Sequence, residues 1–96
     1  MLLPRIFCLV SSDDDLSLLP DLAEAGIDGF QVRDTVATTR ELIELTRVVQ
    51  RAVRPAGATV VIDDRLDVAL ATGADGVHLG ADDLPVEAAR AIAPAC

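Results

Sequence analysis

The sequence is nearly without aromatic side chains: two Phe, no Tyr and no Trp in 96 residues. A recognition surface built on aromatic anchors is therefore not expected. Lysine is missing too, so all eight basic residues are Arg, set against 16 Asp and Glu for a net charge of −8. A chain of that sign repels phosphate backbones, which argues against nucleic acid as a partner. Any affinity for phosphate has to come from a few focused groups plus a metal. The two cysteines, Cys8 and Cys96, sit at opposite ends and form no ligand-spaced pair. No disulfide framework is expected, and a reducing, cytoplasmic compartment follows. Long apolar runs are lacking as well. Residues 1–10 contain Pro4 and Arg5 and run into the polar stretch 11–15, too short to span a membrane and without a signal peptide's ordered regions.

What remains is aliphatic. Hydrophobic residues make up 51% of the chain, so Ala, Val, Leu and Ile must do the packing, as suits strands covered by helices. Four short apolar runs recur, each followed by a helical pattern. Residues 6–10 form the first, with a helix over about 18–25 in which Pro20 is tolerated in the first turn and Gly26 supplies a C-cap. Residues 29–33 alternate, with Phe30 and Val32 on one side and Gln31 and Arg33 on the other. Thr38 and Glu41 form a capping box, and Leu42, Leu45, Val49 and Ala52 recur at helical spacing until Pro55 and Gly57. Residues 59–62 read as a third strand by β-branched content, with a short helix over 66–72 stopped by Gly73. Residues 76–79 form a fourth strand, and Pro85 opens a last helix to about residue 93.

Strand–helix repeated four times implies parallel strands with right-handed crossovers. Each repeat is roughly the size of one unit of an eight-fold β/α barrel, a TIM-type fold of about 250 residues. The fold class expected is thus α/β, with residues 1–96 as the first four of eight units, a half-barrel. Four units as an open, flavodoxin-like sheet are the runner-up, and two chains pairing half to half a third arrangement. The open sheet needs helices on both faces, whereas the alternating polar residues of strands two and three ask for a lumen on one.

Ligands of parallel α/β folds meet the carboxyl ends of the strands. Polar residues gather at all four ends: 11–15, 31–35, 63–65, and Asp82 with Asp83. Asp clusters after strands also cap helices, the role expected of Asp15 and Asp82. Asp64 and Asp83 follow strands of adjacent units, so their carboxylates could converge, and two hard oxygen ligands with room for water and phosphate suit Mg²⁺. As spacing alone, the metal reading and the bland one stand level. His78, the only histidine, is read as a satisfied interior residue, and Gly76 and Gly80 as points of close backbone approach.

The run 62–71, Ile-Asp-Asp-Arg-Leu-Asp-Val-Ala-Leu-Ala, continued by Gly-Ala-Asp-Gly-Val-His-Leu-Gly over 73–80 and by Asp83-Leu84-Pro85, resembles the central signature of the thiamine phosphate synthase and TenI family. Gln31-Val32-Arg33-Asp34, followed by residues 38–41, is similar to that family's second-strand motif. The resemblance covers the whole chain but only the first half of the family's barrel. It implies a transferase of thiamine biosynthesis that joins a hydroxymethylpyrimidine diphosphate to a thiazole phosphate and expels diphosphate. It further implies Mg²⁺ on Asp64 and Asp83, and a pyrimidine-diphosphate site at Gln31, Val32, Arg33, Asp34, Thr35 and Asp63. No residue is assigned general acid–base work.

Three positions depart from the family pattern. Thr35 stands where Lys is common, Asp63 where Asn is common and Ala81 where Gln is usual. The first removes a cation from the diphosphate site. The second exchanges a group that donates and accepts for one that only accepts. Arg33 is expected to pair with Asp34 or Asp64 when no ligand is bound. The thiazole phosphate site would lie in the other half, so this chain alone is not expected to complete the reaction. A TenI-like thiazole tautomerase or regulator, and a non-catalytic barrel fragment, are the alternatives. Exposed half-barrel edges predict self-association.

Overall fold

The computed structural model describes residues 6–80 and 85–87. Four strands, β1 (Phe7–Val10), β2 (Gly29–Val32), β3 (Thr59–Asp63) and β4 (Gly76–His78), alternate with helices α1 (Leu19–Glu24), α2 (Thr39–Val53) and α3 (Leu66–Thr72). All adjacent strands are parallel, in the order β1-β2-β3-β4. A doubly wound sheet reverses direction at a switch point. This one steps the same way at every crossover, which keeps its helices on one face and sets the flavodoxin-like arrangement aside. Of the expected helix over 85–93 only residues 85–87 are described, with 86 and 87 helical; the rest of it, with Ala81, Asp82 and Asp83, lies outside the described residues.

Local chemistry explains most of the boundaries. The Thr38 hydroxyl accepts from the Glu41 amide at 3.2 Å while the Glu41 carboxylate accepts from the Thr38 amide at 2.9 Å, closing the expected capping box of α2. Gly57 and Gly73 adopt the left-handed conformation at the ends of their helical segments. Asp15 caps as expected, but what it caps is a 3₁₀ turn, Leu16–Leu18, that leads into α1. A Gly-x-Asp-Gly repeat fixes the amino end of the sheet. Asp28 Oδ1 accepts from the Ile6 amide at 2.9 Å, and Asp75 Oδ2 accepts from the Val60 amide at 2.8 Å. Each aspartate thereby ties the start of its own strand to the start of a neighbour.

The core lies between the sheet and the helices. Val10, Phe30, Val32, Val60 and Ile62 face Leu19, Leu42, Leu45, Val49, Val53 and Val68, all buried. Complete burial of a side chain of this size is worth about 1.5–3 kcal/mol. Gln50 of α2 donates to the Thr72 carbonyl at 3.1 Å and Arg54, just past the end of α2, to the Gly73 carbonyl at 3.3 Å, so these two side chains satisfy the C-terminal end of α3.

The opposite face of the sheet is bare among the described residues. Phe7, Gly29 and Thr59 form one row across it, and Leu9, Gln31, Val61 and Gly76 the next. Phe7 and Leu9 are 48% and 58% exposed. This is the expected lumenal side. A Cβ at Gly76 would stand 3.5 Å from Val61 Cγ1, an ordinary contact, so the close approach expected at that glycine is not found among the described residues.

Candidate functional site

Polar residues collect where β2 and β3 end. Their loops enclose an open depression of about 190 Å³, walled by Arg33, Asp34, Thr35, Asp63, Asp64 and Arg65 over Ala37 and Leu42. Five of the residues singled out from sequence thus share one cavity. Gln31 stands beside it on the bare face. The Val32 side chain is fully buried in the helix-facing core, which leaves its backbone to meet a ligand.

The centre of the cluster is Asp63. Its Oδ1 accepts from Gln31 Nε2 at 2.9 Å and lies 3.2 Å from His78 Nδ1, and Oδ2 stands 3.7 Å from Arg33 Nε. His78 is opposite Asp63 in the β3–β4 register, and Gln31 reaches it diagonally from β2. Arg33 thus has an ion-pair partner that the sequence did not suggest, Asp63. The extra carboxylate brings its own compensation, being partnered by an amide, an imidazole and a guanidinium. His78 is not an interior residue: its side chain is 63% exposed on the bare face.

Asp34 and Arg65 are held by other means. One Asp34 oxygen accepts from the amide and hydroxyl of Ser12, and the other from the amides of Val36 and Ala37 at 3.2 and 3.1 Å. These bonds, the Ser12 hydroxyl's first, hold its carboxyl below the ordinary range. Arg65 donates to Asp67 at 2.8 and 3.0 Å and to the Thr39 hydroxyl at 2.8 Å, linking the starts of α2 and α3. That bond to Arg65 keeps Asp67 below its ordinary value as well. Nothing in the sequence marks Ser12, Thr39 and Asp67 for these roles. A hydroxyl that meets a carboxylate of another loop leaves no periodic signal.

Asp64 has a positive φ of 71°, the only non-glycine residue with one among the described residues. The Arg65 amide donates back to the Asp63 carbonyl at 2.9 Å, while the Asp64 amide donates to the His78 carbonyl at 2.8 Å. The chain thus turns sharply at the end of β3 with an aspartate at the turn. Backbone of this kind in a side-chain-bearing residue is uncommon and concentrates at ligand sites. Among the described residues no group of three or more His, Cys, Asp or Glu is placed to hold a metal. Mg²⁺ does not require one, because one or two carboxylates with phosphate and water suffice. Of the two carboxylates expected to hold that ion, Asp64 lines the cavity and Asp83 lies outside the described residues.

Four parallel strands in sequence order, helices on one side and polar loops over the carboxyl ends define a TIM-type β/α protein. Comparison with known proteins narrows this. The family model of thiamine monophosphate synthase matches residues 4–95, and the chain belongs to that family. Thiamine-phosphate synthase of Agrobacterium fabrum is 50% identical over 82 residues, covering 81% of this chain and 37% of its own length. That of Pyrococcus horikoshii is 44% identical, covering 83% and 42%. The solved thiamine phosphate pyrophosphorylase from Pyrococcus furiosus superposes with a TM-score of 0.83 at 34% identity, over 94% of this chain and 46% of that one. The chain thus spans about two fifths of the relatives it matches.

Proposed function

We propose that this chain provides the pyrimidine-diphosphate and metal part of a thiamine phosphate synthase site. The observation that carries the proposal is the single cavity holding Arg33, Asp34, Thr35, Asp63 and Asp64 at the carboxyl ends of β2 and β3. In the reaction, the bond between the pyrimidine methylene and diphosphate breaks, the methylene becomes cation-like, and the thiazole nitrogen attacks it. Arg33, 58% exposed and only loosely held by Asp63, can turn its fork to two phosphate oxygens. Gln31, beside the cavity on the bare face, is the residue assigned to the edge of the pyrimidine ring. Asp34 fixes the loop through Ser12, and Arg65, committed to Asp67 and Thr39, shapes the wall rather than binding the anion. Mg²⁺, held by Asp64 and by Asp83, would draw charge off the departing diphosphate. The names carried by the relatives favour synthesis over the tautomerase reading.

Two further readings accompany this one. The exposed Phe7 and Leu9 on the bare face support self-association of the 96-residue chain. The free thiol of Cys8 and the biosynthetic names of the relatives support a reducing cytoplasm.

Calorimetric titration of Mg²⁺, with and without the pyrimidine diphosphate, tests the site. Asp64→Asn is the informative variant, because asparagine tolerates the positive φ while the ligand charge is lost. The linkage between metal and diphosphate should largely vanish in it. Unchanged linkage in Asp64→Asn removes Asp64 from the site.

A further inference from the structure

The turn at Asp64 closes with one hydrogen bond across three residues, from the Arg65 amide to the Asp63 carbonyl at 2.9 Å. With a φ of 71° at its middle residue it is a γ-turn of the rarer, strained hand. Such backbone persists only where its surroundings over-determine it. On one side the Asp64 amide is tied to β4 through the His78 carbonyl. On the other the chain enters α3 at once, and Arg65, with φ −109° and ψ 87°, makes no side-chain bond to the helix's first amides. What fixes Arg65 is its guanidinium. Nε and Nη2 each take one oxygen of Asp67, at 3.0 and 2.8 Å, and Nη2 also donates to the Thr39 hydroxyl at 2.8 Å. A two-pronged pair of this kind sets direction as well as distance. Asp67 lies in the first turn of α3, and Thr39 is the first residue of α2, beside the capping box of Thr38 and Glu41. Arg65 therefore joins two helix starts to the turn that leaves β3.

We propose that Arg65 is a positioning residue: by gripping Asp67 and Thr39 it fixes the backbone that leaves Asp64, and so keeps the strained turn that places Asp64 in the cavity wall. The use of Asp64 as a metal ligand rests on the synthase reading above; the hold on the turn does not. Without the grip, residue 64 is free to relax to a negative φ, the region an aspartate ordinarily prefers. That change redirects its Cα–Cβ bond relative to β3 and takes the carboxylate from its place beside Arg33, Asp34 and Asp63. Lysine cannot substitute for the grip, because a single ammonium does not reproduce the planar fork that engages both oxygens of Asp67. A carboxylate held in place before the ligand arrives avoids the cost of ordering it on binding.

The backbone of residue 64 is a readout that a merely structural role for Arg65 would not move. A positive φ brings an amide proton close to the α-proton of its own residue, which gives a strong cross-peak in ¹⁵N-edited NOE spectra. The 96-residue parent should show that cross-peak at Asp64. Arg65→Lys, which keeps the charge, should lose it while the rest of the spectrum stays that of the folded chain. Asp67→Asn, at a side chain 61% exposed, removes one prong of the grip from the other partner and serves if the lysine variant does not fold. A weak cross-peak in the parent, or a strong one retained in the folded variants, overturns the proposal. A second arm titrates Mg²⁺ calorimetrically, with and without the pyrimidine diphosphate. Metal affinity in the presence of diphosphate should fall by about ten-fold or more in Arg65→Lys, as for other residues that orient a ligand from behind. Equal affinity in parent and variant overturns the positioning of Asp64 for the metal. If the parent itself shows no linkage between metal and diphosphate, the synthase reading of the site falls, while the cross-peak still decides the hold on the turn.

Discussion

Ser12 and Asp34, 22 residues apart, are joined by two hydrogen bonds: the amide and the hydroxyl of Ser12 both donate to Asp34 Oδ2. The loop after β1 is thereby fastened to the loop after β2, one of the walls of the candidate site. Asp34 Oδ1 also organises its own loop through the Val36 and Ala37 amides. The carboxylate is thus a structural knot in the cavity wall, which limits how far it can also serve a ligand.

That knot should be visible as acid sensitivity. The folded-state values of Asp15, Asp34 and Glu41 are all depressed, each first by a hydrogen bond, from Ser17, Ser12 and Thr38 respectively. A depressed carboxyl contributes stability that is fully present above its unfolded value, 3.8 for Asp and 4.5 for Glu, and is lost as pH falls through the lower folded value. Acid simultaneously relieves the repulsion of a chain with net charge −8, so the raw pH profile mixes two opposing effects. Comparison with Asp34→Asn separates them. Urea midpoints measured from neutral pH downward should fall less steeply below about pH 4 in the variant. Parallel profiles for the two proteins would show that the Ser12 bonds do not persist in solution.

The capping box offers a more local test. Thr38→Ala removes the hydroxyl that accepts from the Glu41 amide and also leaves the returning Glu41 bond without its counterpart. The expected loss is about 1 kcal/mol. Glu41→Ala added to Thr38→Ala should cost less than it does alone, since the two bonds act as a pair. Additive losses from chemical denaturation would mean that the two halves of the box are independent.

Restoring a cation to the diphosphate site is the direct test of the departure at position 35. Thr35 is exposed and lines the cavity beside Arg33, while Arg65 is occupied by Asp67 and Thr39. Thr35→Lys should therefore strengthen binding of a pyrimidine diphosphate, by about 1.5–3 kcal/mol for a charged hydrogen bond made out of water and less where solvent screens it. A titration at low ionic strength measures it. Equal or weaker affinity would show that the cavity's cations already meet the charge of the ligand.

The repeating units were legible because each rests on a local signal. Period-two alternation located β2, a capping box located the start of α2, and Gly73 located the end of α3. The partners of Asp63 were not legible. Gln31, Arg33 and His78 meet it only once the strands are registered, and register is a property of the assembled sheet. Asp34, the sequence neighbour of Arg33, is taken up instead by Ser12 of the preceding loop and by the Val36 and Ala37 amides. The 3₁₀ turn over Leu16–Leu18 was missed because three residues carry no periodicity.

The bare sheet face sets the last expectation. Ile6, Phe7 and Leu9 lie on or beside β1, which has β2 on one side and no further strand on the other among the described residues. An apolar edge strand without lysine or proline is a template for pairing, and its exposed side chains add an apolar surface to the open edge. Both features disappear if two such sheets close face to face. The 96-residue chain on its own should therefore self-associate at micromolar concentration, with a mass that falls on dilution in light scattering after size-exclusion chromatography. The double variant Phe7→Gln with Leu9→Gln separates this from unfolding. Both side chains point away from the helix-facing core around Phe30 and Ile62, so far-UV circular dichroism should be retained while the mass shifts toward that of one chain. A parent chain that is monomeric at every concentration and melts cooperatively would show that four units cover themselves well enough in water. If the parent associates and the double variant does so equally, the contact lies elsewhere and the bare face is not its cause.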